Sequence, residues 1–274
     1  QNARGRLLAT KANILLHQDQ LADAKRAADS AVTAFEKVGE SGVSQTVEAL
    51  GLLAQIDQRL GNAEAAFKSQ KRAVEMIEKA VGNQHPVVAK TLGQLARAQQ
   101  SMGRYDESLK LLERVVKINE GVFGAKAEPT TDARMAVAEN LMALEQFDDA
   151  IDVLERCTAA YRETLGAEHP STAKAMAQGG YAQLALKKLD AAETTFRGAW
   201  TARAKQAKTD DTLKAVMQRE KADVLMAREK CRPAADAFAE AAQLFAKSAA
   251  ATSLSVAEAL SGQAKALLCM MKAN

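Results

Sequence analysis

GNQHPVVAKTLGQLARAQQSMGRYDESLKLLERVVKINEGVFG, residues 82–124, holds one complete repeating unit and shows how it is built. It opens on Gly82 and closes on Gly124, 42 residues later, and Gly166 follows after the same interval. Between the first two glycines, Val88, Leu92 and Leu95 form one apolar stripe, and Leu109, Leu112, Val115, Val116 and Ile118 form a second. Spacings of three and four place each stripe on one face of an α-helix. Gly103-Arg104-Tyr105 separates the stripes and marks a turn. The unit is therefore predicted to hold two helices, a first of about 16 residues and a second of about 18. Gly82 and Gly124 fall where the second helix ends, a position that favours positive φ. His85-Pro86 then starts the next first helix, where the missing proline N–H costs nothing.

The same interval runs through the whole chain. Ala24, Ala66, Ser108, Ala150, Ala192 and Ala234 are successive members of one column, each 42 residues after the last. Ala12, Ala54, Ala96, Ala138, Gly180, Ala222 and Ala264 form another. Small residues at a fixed period mark close helix–helix contacts in a stacked array. Six helix pairs are predicted over about 1–42, 43–84, 85–126, 127–168, 169–210 and 211–252. An unpaired end helix is expected over residues 253–272. The in-repeat turns read Leu60-Gly61-Asn62, Met102-Gly103-Arg104, Glu145-Gln146-Phe147 and Lys187-Lys188-Leu189, so two of them must turn without glycine.

Composition narrows the class. Roughly one residue in five is Ala, which with abundant Leu, Lys, Gln and Glu favours helix. The 37 basic and 34 acidic residues are interspersed, leaving +3 and no basic block to argue for nucleic acid. No apolar run approaches a bilayer span. Three cysteines, Cys157, Cys231 and Cys269, are odd in number and unevenly spaced, which argues against a disulfide framework and for a reducing, intracellular compartment. The start Gln1-Asn2-Ala3-Arg4, without Met, reads as a fragment or a processed form.

Ala54, Ala66 and Ala73 in the second unit, with Leu95-Ala96, Gly103 and Tyr105 in the third, resemble the signature of the tetratricopeptide repeat. The unit length and the linkers Gly82-Asn83-Gln84-His85-Pro86 and Gly166-Ala167-Glu168-His169-Pro170 resemble the kinesin-light-chain type of that repeat. The resemblance implies an all-α, right-handed superhelix, an α-solenoid that binds other proteins. One column of the first helices, Leu52, Gln94, Ala136, Gln178 and Glu220, departs from the Asn usual in that subfamily.

The resemblance also implies that first helices line a concave groove. Arg59, Lys90 and Arg97 are then expected to meet acidic groups of an extended partner segment. Gln55, Gln58 and Gln100 would meet its backbone, and Met135 and Met142 its apolar side chains. Tyr181 belongs to the same surface in the fifth unit, and Arg219, Asp223 and Met226 in the sixth. Trp200, Tyr161 and Cys157 sit in core columns. His17, His85 and His169 are dispersed, and two occupy equivalent linkers, so they read as helix-entry residues rather than zinc ligands. No phosphate loop, dinucleotide fingerprint, nucleophile elbow or HExxH is present, and neither a catalytic residue nor a cofactor is expected. Two functions compete. One is a structural or accessory subunit of a larger assembly; the other is an adaptor that captures a peptide in its groove. The end helix supports the first, because Leu260, Leu267, Leu268 and Met271 have no following helix to bury them, and exposed apolar strips mark docking sites.

Overall fold

A computed structural model describes residues 1–207, 210–248 and 252–273. Thirteen α-helices and no strand occur among them. The chain divides into two compact units, residues 1–144 and 145–274. The first holds α1 (Asn2–His17), α2 (Leu21–Glu36), α3 (Val43–Arg59), α4 (Ala63–Val81), α5 (Pro86–Gln100), α6 (Tyr105–Phe123) and α7 (Glu128–Ala143). The second holds α8 (Phe147–Thr164), α9 (Pro170–Ala185), α10 (Leu189–Ala207), α11 (Asp211–Ala227), α12 (Cys231–Lys247) and α13 (Ser253–Ala273). Within each unit every helix packs on its sequence neighbours.

The periodic columns explain that packing. Ala24, Ala66, Ser108, Ala150, Ala192 and Ala234 all have no exposed surface. Ala12, Ala96, Ala138 and Ala222 are equally buried, and Ala54 is 1% exposed. Where the column offers Gly180, the Phe196 ring fills the space, standing 2.8 Å from where a Cβ would be. Ala264 departs from its column by being exposed. In the fifth repeat this position packs against the second helix of its own pair, through Phe196 on Gly180, and no helix follows α13 among the described residues. α13 instead buries Ala259 and Ala266 against α12. Replacing Ala96 with Leu is expected to overpack the α5–α6 contact and cost about 1–3 kcal/mol. An unchanged denaturation midpoint for Ala96→Leu would show that the column does not mark close contact.

The turns inside the pairs share one solution. Positive φ recurs at Asp19, Gly61, Gly103, Glu145, Lys187 and Glu229, each 42 residues after the last. The N–H of the next residue reaches back five positions, as in Asn62 to Asp57 O and Lys188 to Gln183 O, closing a Schellman cap. Glu145 and Lys187 thus keep the glycine geometry without glycine, at a cost that packing on both sides must cover.

Between pairs, His85 Nδ1 accepts the N–H of Val87 at 3.2 Å, and His169 Nδ1 accepts that of Ser171 at 3.2 Å. Both histidines are N-caps followed by proline in the first turn. Thr130 and Thr172 tie the following helix to Gly124 O and Gly166 O. The first linker lacks His-Pro and forms a short 3-10 helix, Gly39–Gly42, instead.

One expectation is corrected. Cys231 and Cys269 are joined by a disulfide, with Cα atoms 5.8 Å apart, linking the start of α12 to α13. The pairing was hidden because 38 residues separate them in sequence, and only the antiparallel return of α13 along α12 brings them together. Cys157 is fully buried, as its column requires.

Candidate binding groove

In the first unit, α1, α3, α4 and α5 enclose a groove of about 600 Å³. Exposed Glu48, Gln55 and Gln58 line it from α3, and exposed Lys90 and Arg97 from α5. Asn13 closes it from α1, and Gln70 and Ile77 form part of the floor from α4. Neither Lys90 nor Arg97 has an ion-pair partner among the described residues. Two cations about two turns apart on one face of α5, beside several amides, suit an extended chain with acidic side chains: Arg supplies directional donors to carboxylate, and amides pair with peptide groups.

Not all expected groove residues arrive there. Arg59 is held elsewhere, donating to Leu16 O at 2.8 Å and pairing with Asp19 at 2.8 Å. It lies in the last turn of α3, so its long side chain reaches back to the preceding turn. Gln100 is half-buried at the end of α5, away from the groove lining. Met135 is buried, 5% exposed, and Met142 is half-buried. Met135 stands in a column otherwise filled in this unit by Ala9, Gly51 and Gly93, so its larger side chain packs inward. Gln70 comes from a second helix, outside the first-helix positions that the resemblance assigns to the groove.

The second unit has its own cleft of about 640 Å³, lined by Tyr181, Arg219, Asp223, Met226, Phe238 and residues of α13. Tyr181 donates its hydroxyl to Asp223 at 3.2 Å, and Arg219 pairs with Glu258 at 2.9 Å. Burial pushes the Asp223 carboxyl up to about 6, while the Tyr181 hydrogen bond and the Arg219 charge pull the other way. Burial, followed by the Asp223 charge, raises the Tyr181 hydroxyl. The folded Asp223 carboxyl therefore binds its proton more tightly than the unfolded one. Its contribution to stability grows as pH falls through 6 toward 3.8 and is lost as pH rises again. Asp223→Asn keeps an acceptor for Tyr181 without the charge. The variant should be most favoured over wild type near neutral pH, with the difference closing toward about pH 4. A melting-temperature difference that does not change with pH would contradict this.

Nearby, Trp200 Nε1 donates to Glu220 Oε2 at 2.8 Å, and Arg203 Nη1 bridges both Glu220 oxygens at 2.7 and 2.9 Å. Trp200 also stacks on Phe196, with ring centroids 6.3 Å apart, consistent with a packing role. At the C-terminal end, Leu260, Leu267, Leu268 and Met271 are exposed, at 51%, 47%, 57% and 75%. No helix of the described residues is long and apolar enough to cross a membrane.

The tetratricopeptide-repeat family profile matches residues 45–121 and 130–199, more than half of the chain. The chain belongs to the tetratricopeptide repeat family, whose arrays are protein-interaction scaffolds. Solved structures agree on the fold. The nearly identical TPR-like repeats of a putative kinesin light chain from Podosopora anserina share 23% identity at TM-score 0.66, covering 75% of this chain and 98% of that one. BtubC (BKLC) from P. vanneervenii shares 17% identity at TM-score 0.70, covering 82% and 91%. The apo form of RapI shares 12% identity at TM-score 0.65, covering 98% and 99%. No curated protein matches the sequence.

Proposed function

We propose that this chain is a non-catalytic adaptor that holds an extended, acidic segment of a partner protein in the groove of its first unit. The observation that carries this reading is the pair of unpartnered cations, Lys90 and Arg97, on the wall of an amide-rich groove. The kinesin-light-chain and RapI likenesses support the fold that makes such a groove, not a particular partner. The test is selection of random 12-residue peptides on the whole chain at low salt. Acidic peptides should enrich, and their binding should weaken with added salt. The double change Lys90→Glu and Arg97→Glu should abolish capture with helix content unchanged. Undiminished capture by that variant would overturn the reading.

One observation favours a second reading, that the chain is a subunit of a larger assembly docked through α13. Leu260 lies at the repeat position of Leu50 and Leu92, which are 2% and 1% exposed, yet Leu260 is 51% exposed. Its fitting occupant is an amphipathic helix of a partner protein whose apolar stripe matches Leu260, Leu267, Leu268 and Met271. Changing Leu267 and Met271 to Gln should release such a partner from the native complex on size exclusion. Co-migration that survives both changes would count against docking there.

A further inference from the structure

The floor of the groove carries a polar recess at a place where the fold otherwise puts core. Gln70 stands 42 residues after Ala28 and before Leu112, and the column continues with Leu154, Phe196 and Phe238. Every other member is a buried hydrophobic residue, and Gln70 itself is only 4% exposed. Four repeats further on, the equivalent contact is Phe238 against Gly262, closely packed and apolar. Here the two positions hold Gln70 and Gln94 instead.

The glutamines are not satisfied. Gln70 Oε1 is sealed from solvent without a hydrogen-bond partner, and neither side chain is held by a hydrogen bond among the described residues. A buried amide left unpaired is costly, whereas an apolar residue of similar size would be free of that cost. Both amides face Gly51, in the middle of α3. Gln94 Oε1 and Nε2 and Gln70 Nε2 lie 3.6, 3.8 and 4.0 Å from where a Cβ on Gly51 would stand. Glycine inside a helix is itself destabilising relative to alanine. Three residues thus give up stability at one point, and together they leave a small amide-lined hollow opening into the groove.

We infer that this hollow is a subsite for a carboxamide side chain, Asn or Gln, of the segment bound in the groove. A carboxamide offers both a donor and an acceptor, which two neutral glutamine amides can pair simultaneously. A carboxylate would bring a charge that neither glutamine can neutralise, whereas Lys90 and Arg97, which can, stand exposed at the rim. The segment's backbone runs at the level of exposed Gln55, Lys90 and Arg97, so a side chain is what reaches down to Gly51. The subsite rests on the groove reading and adds its specificity: acidic residues set at the rim by Lys90 and Arg97, one carboxamide at the floor.

The test begins with the same selection of random 12-residue peptides on the whole chain. Enriched peptides should share Asn or Gln at one position, at fixed spacing from their acidic residues. Gly51→Ala and Gln70→Met should each weaken a selected peptide about tenfold by fluorescence polarisation. The same peptide with its Asn or Gln changed to Ala should bind wild type and both variants alike. Both variants should melt at or above the wild-type temperature, separating lost recognition from lost folding. Enriched acidic peptides without a shared carboxamide, or with Asp or Glu in its place, would overturn the subsite while leaving the groove reading intact. Undiminished binding by both variants would do the same. Absence of any enriched peptide would overturn the groove reading and the subsite together.

Discussion

Arg203→Met should lower the unfolding free energy by about 3–5 kcal/mol, the loss expected when one partner of a buried ion pair is removed. Glu220 is 1% exposed and Arg203 9%. The guanidinium reaches both carboxylate oxygens, and Trp200 supplies one further N–H. Without Arg203 the carboxylate keeps, among the described residues, the indole donor alone, in a site that is 1% exposed. Breaking the pair is costly for that reason, even though the intact pair adds little over an apolar equivalent. The double variant Arg203→Met with Glu220→Gln should recover most of the loss. It removes the stranded charge and keeps an acceptor for Trp200. Denaturant unfolding of the three proteins measures this directly. A loss below about 1 kcal/mol for Arg203→Met would be the value of an exposed pair and would mean the site is solvated.

The fold was legible because the features that set it repeat. Ala96 and Ala150 are buried where the columns place them, and His85 and His169 cap helices from equivalent linkers. A period compares each position with its counterparts, so a small residue such as Ala66 becomes a packing statement. The sites were less legible because they are departures from the repeat. Glu220 belongs to a mixed column, and nothing in the sequence shows that Arg203 and Trp200 converge on it from α10. The helix position of Arg59 predicts a groove cation. Its side chain turns instead to Asp19, which the turn geometry at positive φ brings within reach. Gln70 did carry a signal, a polar residue in a column of Ala, Leu and Phe. Reading the groove from first helices alone left that signal unused, since Gln70 comes from a second helix. Ala264 shows the same limit at the chain's end, where a column position loses its meaning when no paired helix packs on it.

Reducing the Cys231–Cys269 disulfide should destabilise the second unit by about 4 kcal/mol, the loop-closure value for a separation of 38 residues. The bridge joins the first residue of α12 to a residue near the end of α13, and so closes a loop containing both helices. Beyond the bridge, α13 is held by Glu258 pairing with Arg219 and by partly buried Val256 and Met270. Ala259 and Ala266 are its fully buried side chains, and Gly262 takes the Phe238 ring. Leu254, Leu260, Leu267, Leu268 and Met271 are all exposed and add little to holding it in place. With so few fully buried side chains of its own, α13 opens before the rest once the bridge is cut. Reduction should therefore appear first as faster amide exchange in α13, ahead of any change in α8 or α9. Cys269→Ser should reproduce the effect without reductant and should make wild-type and variant exchange identical under reducing conditions. Exchange in α13 that is the same for oxidised, reduced and substituted protein would show that helix packing alone holds the end of the array.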